Sequence, residues 1–91
     1  MLYIISYDIP DDKRRLKVAK ALLNVGNRVQ YSVFECRLDD GRLAKLRLRL
    51  EKLIDLEEDN LRFYRLCRAC EKEIINLGIG EVSEEKDVYI L

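Results

Sequence analysis

The chain has no histidine and no tryptophan, and only one proline and four glycines in 91 residues. Without histidine, no mechanism carried by this chain can use an imidazole base or an imidazole metal ligand. Three cysteines cannot all pair, which suits a reducing compartment better than a disulfide scaffold. No apolar run nears the roughly 18–20 residues of a membrane span, and the N-terminus lacks the basic, apolar and small-residue succession of a signal peptide. Basic and acidic side chains number 17 each, so the net charge is zero. That excludes a strongly basic coat protein and an acidic solvating chain. These absences lead to the expectation of a soluble, cytoplasmic protein with no membrane partner. What is present is globular: 48% hydrophobic and 37% charged residues. A chain this short buries roughly 60–65% of its unfolded surface, enough for one small core.

Met1 to Asp8, MLYIISYD, is apolar on both parities, Leu2 and Ile4 against Tyr3, Ile5 and Tyr7. A strand of that kind is covered on both sides. Pro10 stops it, and Asp11-Asp12 is a helix-start signal. Residues 13–25 have helical spacing, with Leu16, Ala19 and Leu23 on one face and Val18, Leu22 and Val25 widening it. Gly26-Asn27 reads as the C-cap. Residues 28–38 alternate as a strand, or as a short strand plus a long one. Ser32, Phe34, Cys36 and Leu38 face one way; Tyr31, Val33, Glu35 and Arg37 face the other. Asp39-Asp40-Gly41 breaks the strand and caps a helix. Residues 42–54 alternate like a strand at LRLRL, but Leu43, Leu46, Leu50 and Leu53 recur at helical spacing, and length and propensity favour helix. An acidic loop, 55–60, leads to a strand over 61–67. Ile74 to Ile79 reads as a small edge strand.

The order is the ferredoxin-like βαββαβ pattern of an α+β fold: an antiparallel sheet, two helices on one face and an extra C-terminal strand. The domain is expected over residues 1–80, followed by an acidic tail or strand over 81–91. With both helices on one face, the other stays bare, although the first strand is apolar on both sides. Such a face implies a partner, and the commonest partner is a second copy related by a two-fold axis.

Three local features bear on chemistry. Residues 13–50 carry 11 basic and 3 acidic side chains, whereas the flanking segments are net acidic. Lys13, Arg14, Lys17 and Lys20 lie off the apolar stripe of their helix. This is either a pair of solvated helix faces or a surface for a phosphate polyanion. Cys67 and Cys70 form a C-x-x-C, a redox pair or half a zinc site in principle. The preferred reading is a buried strand cysteine and an incidental neighbour, with Cys36 in the core. Asp8, ending the first strand, either caps the next helix, marks the exit into water, or ligates a divalent cation. Mg²⁺ sits on one or two carboxylates together with substrate phosphates, and a two-fold axis would bring two Asp8 side chains together around one ion.

The blocks YIISYDIPDDKRRLKVAKAL and GNRVQYSVFECRL, together and in order, resemble CRISPR-associated protein family two, the compact partner of the integrase that inserts new spacers into CRISPR arrays. The likeness is close over residues 2–38 and looser through LRFYRLC. It implies the ferredoxin-like fold, a homodimer whose terminal strand pairs with the partner's sheet, and spacer acquisition in antiviral defence. It further implies a metal-dependent endonuclease acting on single-stranded RNA or double-stranded DNA. Mg²⁺, or another divalent cation such as Mn²⁺, would sit at Asp8. Tyr7, Arg15, Arg28 and Phe34 fall on positions tied to catalysis in that family. Lys13, Arg14, Arg15, Lys17 and Arg28 are the expected nucleic-acid ligands, Lys17 standing where some relatives have arginine. Ser32 belongs to the motif with a backbone or packing role. The same residues also fit a non-catalytic scaffold that bridges integrase subunits and holds spacer DNA. Outside the family the rivals are a toxin-type ribonuclease of the same fold and, more remotely, a dimer bridged by zinc through Cys67 and Cys70. An RNA-recognition module is disfavoured, because SVFECRL lacks its glycine-spaced aromatic pair.

Overall fold

A computed structural model of the chain describes residues 1–80. Along them run β1 (Leu2–Asp8), α1 (Asp12–Leu23), β2 (Gly26–Gln30), β3 (Val33–Arg37), α2 (Asp40–Leu53), β4 (Asn60–Leu66) and the single turn α3 (Arg68–Glu71). The four strands make one antiparallel sheet in the order β2-β3-β1-β4. This is the ferredoxin-like arrangement that the pattern predicts. β1 is central, and Ile5 pairs with Phe34 on one side and Phe63 on the other.

The period of two along β1 sorts the side chains between two faces. Tyr3, Ile5, Tyr7 and then Ile9 are buried. They share one core with Val18, Ala19, Ala21 and Leu22 of α1, Phe34 and Cys36 of β3, and Leu46 and Leu50 of α2. Both long helices therefore cover the same face. Leu2, Ile4, Ser6 and Asp8 point to the other, beside Arg37, Glu35 and Val33 of β3 and Leu66, Tyr64, Arg62 and Asn60 of β4. The one-turn α3 is tied to this sheet by Glu71, whose carboxylate accepts from Arg37 Nη1 at 2.5 Å. Each long helix starts on an aspartate cap. The Asp11 carboxylate accepts from the Arg14 N–H at 2.9 Å, and that of Asp39 from the Arg42 N–H at 2.8 Å. Each such cap is worth about 1 kcal/mol.

Several expectations need correction. α1 ends at Leu23, and Gly26-Asn27 is not its cap but the start of β2. Leu16 and Leu23 are exposed, while Ala19 and Ala21 are buried. α1 is thus rotated toward its small residues on the sheet. Of the two readings of residues 28–38, the second holds: two strands, divided at Tyr31-Ser32, with an irregularity between Arg28 and Gln30. Cys67 is exposed and caps α3 rather than lying buried on β4. Residues 74–79 form no strand, because a strand exists only through its ladder and this segment pairs with none among the described residues. Ile75, Leu77 and Ile79 are exposed there. The tail, 81–91, with its expected strand, lies outside the described residues. Among the described residues no helix is long and apolar enough to cross a membrane.

Gly26 is required by close approach rather than by backbone freedom. A Cβ there would lie 2.4 Å from Cys36 Sγ and 2.4 Å from the Glu35 carbonyl oxygen. Gly26→Ala is expected to destabilise the fold by about 1–3 kcal/mol, the usual cost of overpacking. Gly41→Ala, in the first turn of α2 with its nearest contact at 3.6 Å, should be neutral or stabilising by up to about 1 kcal/mol. Urea denaturation of the two variants beside the wild type checks the contrast.

Candidate functional site

Asp8 stands where the open face of the central strand runs out. It is exposed, and its partner across the ladder is Asn60, the first residue of β4. Two pairs further in, on the same face, Ser6 lies between Arg62 of β4 and Val33 of β3. Arg62 lies along its own strand: Nε donates to Asn60 Oδ1 at 3.2 Å and Nη1 donates to Tyr64 Oη at 3.2 Å. The contact with Tyr64 raises the guanidinium pKa above its ordinary value. Both partners are uncharged amide or hydroxyl groups, so neither neutralises this cation.

The loop leaving Asp8 is held by Arg15. Its Nη1 donates to the Ile9 carbonyl at 2.9 Å and to the Pro10 carbonyl at 3.4 Å, and Nη2 donates to the Asp12 carboxylate. Arg15 thus fixes the backbone directly after Asp8. Arg14, expected among the nucleic-acid ligands, is instead engaged within the chain. Nε donates to Asp59 Oδ2 at 2.8 Å, and Nη2 to Asp59 Oδ1 at 3.1 Å and Glu58 Oε2 at 3.0 Å. This is a bidentate fork on a carboxylate that solvent does not reach. Asp59 Oδ2 also accepts the Asp55 N–H at 2.8 Å. The Arg14 hydrogen bond holds the Asp59 carboxyl below the usual range, and the same bond raises Arg14. The clamp anchors the acidic loop immediately before Asn60, and so helps to position the residue opposite Asp8.

Tyr7 and Phe34, expected at the catalytic centre, lie on the helix-covered face instead. They are 5% and 0% exposed, and their rings stack at 6.2 Å. Neither side chain is available to a substrate on the Asp8 side, and their work is positional. Tyr7 Oη donates to the Tyr31 carbonyl at 3.1 Å, and the Tyr7 N–H donates to the Ser32 carbonyl at 3.1 Å. Ser32 therefore serves through its backbone. The Arg28 guanidinium lies 5.2 Å from the centroid of the Phe34 ring, a cation–π contact at the β2 edge. Lys13 and Lys17 are exposed along α1.

The cysteines are remote from Asp8. Leu66, just before Cys67, pairs with Leu2 at the opposite end of β1. The Cys67 thiol pKa is lowered, first by the Cys70 N–H that Sγ accepts at 3.4 Å, and the Cys70 thiol is raised by its contact with Cys67. Burial, then Glu35, pushes Cys36 up to about 11. Among the described residues no three His, Cys, Asp or Glu side chains gather closely enough to hold a metal ion. Arg15 reaches the backbone that follows Asp8, at the Ile9 and Pro10 carbonyls. Asn60 and Arg62 join Asp8 unforeseen, although the alternation of LRFYRL places Arg62, Tyr64 and Leu66 on one parity.

A βαββαβ sheet with one bare face, ending in an exposed carboxylate, defines the structural class. The family profile described as CRISPR associated protein Cas2 matches residues 1–74. A "CRISPR-associated endoribonuclease Cas2 1" of Chloroflexus aurantiacus is 50% identical over 93 residues, covering 100% of both chains. The crystal structure of TT1823 from Thermus thermophilus superposes with a TM-score of 0.81 at 47% identity, over 91% of this chain and 96% of that one. A chain of a "Partial Cas6-RT-Cas1--Cas2 complex" does so with a TM-score of 0.74 at 34% identity, over 84% of this chain and 89% of that one. The chain belongs to the CRISPR associated protein Cas2 family, as the sequence blocks imply.

The Arg14–Asp59 clamp has a signature in acid. Because the folded pKa of Asp59 lies below its unfolded value of about 3.9, the clamp contributes stability above that pH. The contribution is lost as pH falls through the lower, folded value. Asp59→Asn should therefore melt lower than wild type at neutral pH, with the two melting curves converging below about pH 4. Circular dichroism melts across that range measure it; a constant gap at every pH would mean that the clamp carries no charge-dependent stability.

Proposed function

We propose that this protein acts in CRISPR spacer acquisition, in antiviral defence, as a dimeric metal-dependent endonuclease that hydrolyses phosphodiester bonds in single-stranded RNA or double-stranded DNA. The observation that carries the reading is Asp8, an exposed carboxylate at the end of the central strand, with the cation Arg62 two ladder pairs away on the same face. Family membership and the nuclease name of the relative at 50% identity support it.

The donor set suits a hard divalent cation. The carboxylate of Asp8 is a hard oxygen donor, and Mg²⁺ or Mn²⁺ takes such groups together with water and phosphate oxygens. When bound, such an ion polarises a phosphoryl oxygen and lowers the pKa of a coordinated water. The chain's own residues bind and orient. Arg62, with Lys13, Lys17 and Arg28 further out, attracts the phosphates, and Arg15 holds the loop that leaves Asp8. Buried Tyr7 and Phe34 keep the strand end in place from the opposite face.

One chain offers too few donors to close a metal site, and its bare face is incompletely covered. Ile4, Val33 and Leu66 are half-buried there and Tyr64 is exposed. A second copy across a two-fold axis covers this face and doubles Asp8. A scaffold role is the second reading: the match to a chain in a complex with Cas1 favours a dimer that bridges integrase subunits and holds spacer DNA on its basic surface.

Two measurements test this. Labelled single-stranded RNA and double-stranded DNA are incubated with Mg²⁺, Mn²⁺ or EDTA, and Asp8→Asn is run beside wild type. Cleavage is expected to need the metal and to fall to background in Asp8→Asn; equal cleavage by both proteins removes the nuclease reading and leaves the scaffold. Sedimentation equilibrium at micromolar concentration is expected to give a dimer, shifted toward monomer by Tyr64→Glu. A monomeric wild type would sink the shared-metal arrangement.

A further inference from the structure

β4 runs out at Leu66, and the next residue, Cys67, opens the single turn α3 with Cys70 inside it. Both thiols are exposed, whereas Cys36 is buried in the core. Cys67 Sγ accepts the Cys70 N–H at 3.4 Å, and the two thiols are in hydrogen-bond contact with each other. A disulfide needs its α-carbons about 4.4–6.8 Å apart. One helical turn, with a pitch of about 5.4 Å, sets residues three apart within that range. The turn is also held at both ends. The Glu71 N–H donates to the Cys67 carbonyl at 2.9 Å and closes it, and the Glu71 carboxylate accepts from Arg37 Nη1 at 2.5 Å. Leu66 and Arg37 are the two ladder partners of Leu2, so α3 runs from β4 toward β3 across the start of β1. The thiol pair thus rides on a strap anchored to the sheet on either side of the central strand.

The two sulfurs differ in reactivity. A thiolate, rather than a thiol, attacks a disulfide. The Cys70 N–H, and then its thiol, lower the Cys67 pKa, while the contact with Cys67 raises that of Cys70. Cys36 is withheld from solvent, and burial pushes its thiol up to about 11. A structural zinc site needs four ligands, and among the described residues no third His, Cys, Asp or Glu gathers at this pair. Two-electron oxidation needs only the two thiols. We propose that Cys67 and Cys70 form a reversible dithiol–disulfide site that reacts with low-molecular-weight disulfides, Cys67 attacking and Cys70 resolving. The Cys67 thiolate attacks one sulfur of a glutathione-type disulfide. A bond from Cys67 Sγ to glutathione forms, the small molecule's S–S bond breaks, and one glutathione leaves with the proton that Cys67 gave up. Cys70, losing its proton, then attacks Cys67 Sγ and expels the second glutathione, which takes that proton. Two protein thiols are oxidised, and one small disulfide is reduced to two thiols. The pair lies at the opposite end of β1 from Asp8, so its chemistry is independent of that site.

The test reads thiols rather than nucleic acid. The full-length protein is equilibrated at neutral pH in mixtures of reduced and oxidised glutathione, quenched in acid, unfolded and alkylated, and its intact mass is measured. Oxidising mixtures are expected to take wild type from three alkylated cysteines to one, with no glutathione retained. Dithiothreitol should restore all three. Trypsin cuts after Arg68, between the two cysteines, so the bond should appear as two linked peptides, with Cys36 alkylated elsewhere. Cys70→Ser lacks the resolving thiol and should accumulate one glutathione on Cys67. Cys67→Ser should gain its adduct on Cys70 at least about tenfold more slowly. Serine can still cap α3, and far-ultraviolet circular dichroism should be the same for all three proteins. Three alkylated cysteines in wild type in every mixture, or a Cys67–Cys67 bond between two chains, would overturn the site. Equal rates of adduct formation in the two variants would overturn the order of attack.

Discussion

Everything at the open end of this molecule depends on β1 being hydrogen-bonded along both edges. A strand in that position cannot slip or rotate, and its period of two then dictates where each side chain goes. Tyr7 and Asp8 are neighbours in sequence and lie on opposite faces of the sheet. Tyr7 enters the helix-covered core, stacks on Phe34 and holds the hairpin tip through its amide and its hydroxyl. Asp8 is left in water, but on backbone that this packing has fixed. An exposed carboxylate on a loop would be free to wander; this one is carried at the end of a rigid rod.

The same economy governs the charges. The segment 13–50 is rich in arginine and lysine, yet several of its cations are engaged inside the chain. Arg14 grips Asp59 and Glu58, Arg37 meets Glu71, and Arg47 meets Glu51 at 3.0 Å. Conversely Arg62, outside the basic segment, stands two ladder pairs from Asp8 on the same face. Where a cation acts is decided by the ladder and the loops rather than by regional net charge. The Arg14 clamp, the Arg15 contacts with the Ile9 and Pro10 carbonyls, and the Tyr7 bonds converge on the three segments around Asp8, each holding one of them.

Much of this is legible in the amino-acid order. The βαββαβ succession, the aspartate caps before both helices, the leucine stripe of α2 and the core side of β3 all come from spacing and side-chain type. Asp8 stands out because a charge interrupts an apolar strand. The rest depends on partners distant in sequence. No local signal separates Arg14, which closes on Asp59, from Lys13 beside it. Tyr7 and Phe34 look like site residues because they sit in the shared motif, and only the pairing register sends them to the opposite face. Gly26 reads as a cap because a glycine after a helix ordinarily is one. Its actual reason, the approach of Cys36 and Glu35, lies across the sheet. Asn60 and Arg62 gain meaning only from the residues that β1 sets against them.

The strand order also has a consequence for how the molecule is made. β1 leaves the ribosome first, yet both of its ladders wait for partners encoded later, β3 after a helix and a strand, and β4 near the end of the described chain. The apolar side chains of β1 stay unsheltered through that interval, and the long-range pairings that close the sheet are of the slow kind. Completion of the fold is thus a late, all-or-none event: until β4 is threaded along the free edge of β1, neither Asn60 nor Arg62 stands beside Asp8.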